Sequence, residues 1–331
     1  MKRFLILSIS VLAALPGAFA ADSLLNVSYD VTREFYGDYN PIFVKYWKDK
    51  TGKTITAEQS NGGSSKQARA VLEGLEADVV TMNQDTDINI LAKGGLLPAD
   101  WRTLLPNNSA PYSSTIVFLV RKGNPKGIKD WGDLVKPGVS VIIPNPKTSG
   151  NGRYSYFAAW AYAAKQFAGD EAKTREFVGA LFKNVPILST GGRDASNVFV
   201  QKELGDVLLT FESETLQISR VFSPDKYDIV YPSISVEADA PVAVVDKYAQ
   251  KHGTVDAAKE YLNYLWSDEG QALAVKYYFR PRSEKLLAEN AAIFPKIELV
   301  TVDGAFGGWD AAQKTHFADG GFFDQIYGPG K

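Results

Sequence analysis

Short apolar runs alternate with amphipathic stretches along most of this chain of 331 residues. Apolar runs bounded by turn residues predict buried strands, and apolar residues at helical spacing predict helices between them. The predicted strands include LLNVSYD (24–30), ADVVTM (77–82), STIVFLVRKGNP (114–125), VSVIIPNP (139–146) and APVAVVDKY (240–248). A helix predicted over 64–75 would bury Ala68, Val71, Leu72 and Leu75. Strands that alternate with helices predict an α/β, doubly wound architecture with a buried parallel sheet.

Small polar turns rich in serine, threonine and glycine lead from several predicted strands into the helices that follow. They are SNGGSSKQ (60–67), KTSGNGR (147–153) and STGGR (189–193). Helix N-termini carry unpaired N–H groups and the positive end of the helix dipole, so such turns can bind anions. Any one of them could instead be an ordinary serine N-cap. The junctions of an open α/β sheet line one crevice at the carboxyl ends of the strands, so three such turns favour an anion pocket.

Motif spacing and composition argue against a nucleotide, a nucleic acid and a metal as ligands. In the first turn Lys66 follows Ser65 and precedes Gln67, which is not the spacing of a nucleotide-binding phosphate loop. The chain has 36 basic and 38 acidic residues and a formal net charge of −2, so nucleic acid is not an expected partner. It has no cysteine and only two histidines, His252 and His316. These counts exclude thiolate chemistry and disfavour a zinc site, and we expect neither a metal nor a cofactor.

The N-terminus has the pattern of a secretory signal peptide. Lys2 and Arg3 precede an apolar run that ends at Leu15, and the small-residue sequence at 18–20 matches a cleavage site. The run is too short to span a bilayer, and no cysteine follows it that could carry a lipid. We therefore expect residues 1–20 to be a signal peptide, and the mature chain to reach the periplasm without a membrane anchor.

Several segments together resemble the periplasmic sulfate- and thiosulfate-binding proteins, which are the receptors of bacterial ABC importers. These segments are LLNVSYD, QSNGGSSKQA, EADVVTMN, IIPNPKTSGNGRY, GDVLLTFESE and FGGWDAAQKTHFADGG. The resemblance covers essentially the whole mature chain. It implies a two-lobed, type II periplasmic binding fold that closes around an oxyanion without a counter-charged side chain. We expect one lobe over 22–115 plus 245–331 and the other over 116–244, with hinges in the strands at 114–120 and 240–246.

The resemblance also implies the residues that hold the ligand. The main-chain N–H donors would come from Asp30, Ser64, Gly150, Asn151 and Gly192. Ser149 would add its hydroxyl, and Arg193 matches an arginine that braces the backbone of the site without touching the ligand. The ligand-holding set that the resemblance implies contains donors only.

Two residues depart from the sulfate-binding branch of this family. Asn151 replaces a glycine, which is tolerable if φ stays negative. Phe211 replaces a tryptophan whose indole N–H donates to the anion, and phenylalanine has no donor. The combination of KTSGN, TGGR and FESE with NQDTD (83–87) instead looks like the thiosulfate-binding branch. A site for the larger, softer sulfur of thiosulfate can exchange one strong donor for apolar contact and extra room. If Phe211 only packs, Asn83 and Gln84 are the next candidates for selectivity.

The expected function is capture of sulfate and/or thiosulfate and its delivery to the permease of an ABC importer, by a monomer that is not an enzyme. Receptors for other tetrahedral oxyanions, molybdate or phosphate, are the nearest alternative. Phosphate is disfavoured, because monohydrogen phosphate needs an acceptor for its proton. An exported serine hydrolase that uses Ser64 or Ser149 would need a base within hydrogen-bond reach, and neither histidine lies near these motifs.

Overall fold

The computed structural model of the chain describes residues 23–328. The predicted signal peptide, residues 1–20, lies outside the described residues. The strands are β1 Ser23–Tyr29, β2 Thr56–Gly62, β3 Val79–Thr81, β4 Tyr112–Arg121, β5 Val141–Pro144, β6 Leu188–Ser189, β7 Val207–Phe211, β8 Tyr227–Val230, β9 Ile234–Asp239, β10 Val242–Val244, β11 Arg280–Pro281 and β12 Glu298–Val300.

Helices follow most of the strands, as the sequence pattern predicts. They are α1 Arg33–Thr51, α2 Ser64–Leu72, α3 Asp85–Lys93, α4 Pro106–Ser109, α5 Gly150–Gln166, α6 Glu171–Lys183, α7 Gly192–Val200, α8 Glu212–Gln217, α9 Asp246–His252, α10 Val255–Asn263, α11 Asp268–Lys276, α12 Glu284–Glu289, α13 Val302–Phe306, α14 Trp309–Ala312 and α15 Phe322–Tyr327. In the part of the chain that the structure describes, no helix has both the length and the apolar character needed to cross a bilayer.

Two sheets organise the molecule. The first has the strand order β10-β3-β1-β2, in which β1 is parallel to β2 and β3 while β10 is antiparallel to β3. The second has the order β12-β9-β4-β7-β5-β6, and β8 and β11 also pair with β4. We call the first sheet with α1–α3 the first lobe, and the second sheet with α5–α8 the second lobe. Two sheets with helices confirm the predicted α/β class.

The chain crosses between the two sheets at neighbouring points. β9 belongs to the second sheet and β10 to the first, so one crossing falls at Ala240 and Pro241. The Ala240 N–H donates to the Tyr112 carbonyl at 3.3 Å, at the start of β4, where the chain has just come from the first sheet. The lobe boundaries at 115/116 and 244/245 stay a prediction. In the C-terminal segment, β11 pairs with β4 and β12 pairs with β9, so both strands belong to the second sheet.

The buried faces of the elements follow the apolar pattern, with one exception. Ala68 and Val71 of α2 are buried in the first lobe and Leu75 is partly buried there, as predicted. Leu72 is wrongly predicted as a core residue, because 43 % of it is exposed. Its Cδ1 atom lies where a side chain at Gly94 would stand, so Leu72 covers that glycine from outside the core. A pattern of apolar residues does not reveal that α2 ends at this residue.

Candidate functional site

Three helices of the two lobes begin at the serine- and glycine-rich turns. In α2 the first helical hydrogen bond runs from the Gln67 N–H to the Gly63 carbonyl, at 2.9 Å. In α5 the Arg153 N–H donates to the Ser149 carbonyl at 3.1 Å, and in α7 the Ala195 N–H donates to the Gly191 carbonyl at 3.0 Å. The N–H groups that precede these donors therefore lie outside each helical ladder and remain for another acceptor. They belong to residues 64–66, 150–152 and 192–194, which include four of the five predicted main-chain donors.

The three helix starts meet across the gap between the lobes. A Cβ atom at Gly63 would lie 3.9 Å from the Thr190 carbonyl oxygen and 4.0 Å from that of Thr148. A Cβ at Gly191 would lie 3.1 Å from Asp30 Oδ2 and 3.9 Å from Gly63 Cα. The backbones of the first and second lobes thus lie within van der Waals reach of a side-chain atom placed at Gly63 or Gly191. The structure represents a closed arrangement of the two lobes.

Asp30, the fifth predicted main-chain donor, directly follows β1. It opens a short 3₁₀ turn in which the Arg33 N–H donates to the Asp30 carbonyl, so the Asp30 N–H also precedes the ladder. Its carboxylate lies close to Gly191, at the start of α7. Burial raises the pKa of the Asp30 carboxyl, and Arg33 and Arg193 oppose that rise. The first lobe therefore brings Asp30 and Ser64 to the second lobe's helix starts.

The two serines of the predicted site use their side chains differently. Ser149 is the N-cap of α5, and its hydroxyl oxygen accepts the Gly152 N–H at 3.4 Å, which leaves the hydroxyl proton for another acceptor. Ser64 Oγ lies 3.6 Å from Met82 Sδ and accepts the Asn83 N–H at 3.3 Å. The side chain of Ser64 thus faces the first lobe, and its main-chain N–H is the group that remains at the helix start.

Asn151 lies in the first turn of α5, and its φ is negative. Its Nδ2 group donates to Thr210 Oγ1 at 2.7 Å in the interior of the second lobe. Because the side chain is engaged there, Asn151 can present only its main-chain N–H at the helix start. The replacement of glycine by asparagine is therefore compatible with the predicted role.

Phe211 ends β7 and is 2 % exposed. Its ring makes an edge contact with Tyr29 of the first lobe at a centroid distance of 6.4 Å, and another with Tyr154 of α5 at 5.8 Å. Tyr29 directly precedes Asp30. Phe211 therefore lies between the lobes, next to the element that carries a predicted donor, where it contributes an apolar wall and no hydrogen bond.

Arg193 joins the two lobes. Its Nη1 and Nη2 atoms lie 3.1 and 3.2 Å from the carboxylate oxygens of Glu34, in α1 of the first lobe. Its Nε atom lies 3.0 Å from Glu214, which is buried in α8 of the second lobe. The guanidinium is thus neutralised by two carboxylates, and the Glu34 contact is one that only closed lobes can make. The sequence gives no signal that singles out Glu34, since an acidic residue in the first turn of a helix is common.

Arg153, which the sequence pattern does not single out either, is buried at the first turn of α5. Its Nε atom donates to the Pro146 carbonyl at 2.9 Å, and its Nη1 lies 3.4 Å from Thr86 Oγ1 of the first lobe. Within residues 23–328 no carboxylate lies within ion-pair distance of it. Burial lowers the pKa of the Arg153 guanidinium. A positive charge with no ion-pair partner near α5 adds to the favourable environment for an anion.

The groups that a hydrolase would need lie elsewhere. His252 pairs with Asp78 at 2.9 Å and with Glu76 at 3.0 Å. His316 is buried beside Tyr156, at 3.0 Å. Lys147 Nζ pairs with Asp324 of α15 at 2.8 Å, so it is not directed at Ser149. None of these bases is hydrogen-bonded to either serine of the predicted site.

Comparison with known proteins relates the chain to solute receptors. The sequence model of the family described as "bacterial extracellular solute-binding protein" matches residues 32–280. The chain is 59 % identical to the thiosulfate-binding protein of Pseudomonas aeruginosa, over 99 % of this chain and 100 % of that protein. It is 51 % identical to the sulfate-binding protein of Escherichia coli, over 96 % and 97 % of the two chains.

A solved structure shows the same fold. The sulfate-binding protein SubI of Mycobacterium tuberculosis superposes with a TM-score of 0.80 at 30 % sequence identity, over 90 % of this chain and 100 % of that one. The molecule therefore has the two-lobed, type II periplasmic binding fold that the sequence led us to expect.

Proposed function

The chain belongs to the family of bacterial extracellular solute-binding proteins, and we propose that it captures sulfate and/or thiosulfate between its lobes and delivers the anion to the permease of an ABC importer. It is a binding protein and not an enzyme. Its place of work would be the periplasm, in keeping with the signal peptide predicted over residues 1–20.

One observation carries the proposal: the starts of α2, α5 and α7 converge from both lobes on one gap. Removing a dianion from water is costly, so nearly every oxygen must receive donors in the closed state. Unpaired N–H groups at helix starts supply them, and each helix adds the positive end of its dipole. Such a site needs no positively charged contact, which suits a chain with a formal net charge of −2.

We assign the roles at the site residue by residue as a proposal. The main-chain N–H groups of Asp30, Ser64, Gly150, Asn151 and Gly192 and the hydroxyl of Ser149 would donate to the anion. Arg193 would hold the start of α7 in place through its pairs with Glu34 and Glu214. The chain crossings near Tyr112 and Ala240 would act as the hinge, and the Arg193–Glu34 pair would favour the closed state.

Phe211 bears on which anion binds better. Its ring closes one side of the gap with an apolar surface against Tyr29 and Tyr154. The terminal sulfur of thiosulfate is a weaker hydrogen-bond acceptor than oxygen and tolerates such a wall. Sulfate would lose one charge-assisted bond relative to a site with an indole donor, which is worth about 1.5–3 kcal/mol. We therefore propose that the site accepts thiosulfate at least as well as sulfate.

The test is calorimetric titration of the mature protein with sulfate, thiosulfate, molybdate and phosphate in one buffer free of these anions. We expect one site per chain for sulfate or thiosulfate. Phosphate should compete very weakly at neutral pH, because its P–O–H group would face donors and remain unpaired. Failure to bind either sulfur oxyanion, or tighter binding of phosphate, would contradict the proposal. Delivery is tested separately, by sulfur-dependent growth of a strain that lacks this protein.

A further inference from the structure

Asn83 lies between two of the proposed donors, one in each lobe. It follows β3, and its N–H donates to Ser64 Oγ at 3.3 Å in the first lobe. Its side chain lies against the start of α5 in the second lobe, where a Cβ at Gly150 would be 2.0 Å from Oδ1 and 3.1 Å from Nδ2. The missing side chain of Gly150 is therefore what makes room for the amide of Asn83.

The amide oxygen of Asn83 is buried, and no group within residues 23–328 donates to it. Asn83 as a whole is 5 % exposed. Buried polar atoms in native proteins nearly always have a partner, and an anion without protons has no donor to offer this oxygen. The buried position beside Gly150 therefore suits the donor end of the amide once an anion is bound. An amide presents an acceptor at one end and two donors at the other, and a half-turn about its last bond exchanges them in the same space.

The next residue, Gln84, differs although it is the same type of side chain. Its Nε2 group donates to Ser65 Oγ at 2.9 Å and to Asp87 Oδ2 at 2.8 Å. Both partners belong to the first lobe, so these bonds hold the Gln84 amide in that lobe. The amide oxygen of Gln84, like that of Asn83, has no donor among the described residues. Of the two polar residues after β3, only Asn83 lies against a helix start of the opposite lobe.

We propose that Asn83 is a specificity-determining residue of the anion site. With the anion in place, the amide makes a half-turn about its last bond, and its Nδ2 group takes the position of Oδ1 beside Gly150 and donates to an anion oxygen. It supplies a side-chain donor in a site where Phe211 has none. A neutral amide suits an anion without protons, whereas a carboxylate there would repel it. This inference rests on the proposed function.

The experiment compares three substitutions in the full mature protein, titrated calorimetrically with sulfate and with thiosulfate. Asn83→Leu keeps a similar volume without donors and should raise Kd at least tenfold for the anion that the wild type binds more tightly. Asn83→Asp keeps the shape, replaces the donors by a negative charge, and should raise Kd further. Gln84→Leu is the matched control and should change Kd less than threefold.

Thermal unfolding without anion shows whether each variant is folded, and Asn83→Ser replaces the leucine variant if that one is not. Binding by folded Asn83→Leu and Asn83→Asp within threefold of the wild type would overturn the inference and leave the proposed function intact. An equal loss in Gln84→Leu would also overturn it, because the effect would then belong to the β3–α3 turn as a whole. A wild type that binds neither anion would instead contradict the proposed function.

Discussion

The amide donors can be tested one at a time at Gly192, because proline and alanine there differ mainly in the N–H group. Gly192 is the first residue of α7, and its N–H is not used by the helix, whose first bond comes from Ala195. Proline is favoured at the first position of a helix. The preceding residue, Gly191, is extended with φ −157° and ψ 175°, the conformation that precedes proline. Gly192→Pro should therefore remove one donor and keep α7.

Gly192→Ala is the matched control, since it adds a methyl group and keeps the N–H. The added Cβ would lie 3.6 Å from Val31 Cγ2, which is an ordinary contact, and 3.1 Å from Asn151 Nδ2, which must give way slightly. A hydrogen bond to a charged acceptor contributes about 1.5–3 kcal/mol. We therefore expect Gly192→Pro to raise Kd about 10- to 150-fold, and Gly192→Ala to change it by less than about threefold.

The assay is a pair of titrations of each variant with sulfate and thiosulfate, together with the thermal unfolding midpoint measured without anion. Similar midpoints for the two variants would show that α7 is intact in both. Equal binding by the wild type and the proline variant would refute the role of the Gly192 N–H. An equal loss in both variants would show that crowding near Asn151 and Val31, and not the missing donor, is responsible.

Three other changes follow from contacts at the site and beyond it. Phe211→Trp should shift the relative affinity toward sulfate by about 10- to 150-fold, less any cost of overpacking against Tyr29 and Tyr154. An unchanged ratio of sulfate to thiosulfate affinity in paired titrations would show that Phe211 is not part of the site. Glu34→Gln should weaken the contact between the lobes and raise the anion's dissociation rate two- to tenfold in stopped-flow measurements. This rate change corresponds to about 0.4–1.4 kcal/mol for a partly exposed ion pair. An unchanged rate would contradict the prediction. Burial lowers the pKa of His252, but Glu76 and Asp78 outweigh it and raise the pKa above its usual value. Their stabilisation is therefore complete below about pH 6.5 and lost as the pH rises through the folded-state pKa. His252→Gln should cost more unfolding free energy at pH 5.5 than at pH 8.5 in urea titrations, and equal costs would argue against it.

The helix starts could be predicted from the sequence because the signal is local. A serine–glycine turn before an amphipathic stretch placed the start of α2 at Ser64, and α5 begins directly after its N-cap, Ser149. The apolar runs also predicted β1, β3 and β5 to within a few residues of their observed bounds. What such patterns lack is the distance between segments that are far apart along the chain. They predict that several turns end at one edge of a sheet but not which atoms face one another.

Contacts between distant residues account for what the sequence did not reveal. Glu34 and Arg193 are 159 positions apart, and neither has an unusual local pattern. The approach of Asn83 to Gly150 depends on how closely the two lobes come together, and in the sequence that glycine is one of several in a turn. The pairing of β11 and β12 with the second sheet is likewise set by tertiary packing, since both are very short strands. Local propensity does not determine such pairings.

The arrangement of charges explains how a mildly acidic protein could hold a dianion. Arg193 is fully paired with Glu34 and Glu214, so it can contribute little field at the gap. Arg153 has no carboxylate partner within the described residues, and its Nε atom is bound to the Pro146 carbonyl. The remaining positive potential comes from three helix starts, whose N–H groups are fixed in direction and need no reorganisation when the anion arrives. Such fixed dipoles are effective where water is excluded, and they act over one turn only. In the site that we propose, selection among anions then depends on neutral side chains at the gap, among them Ser149, Phe211 and Asn83.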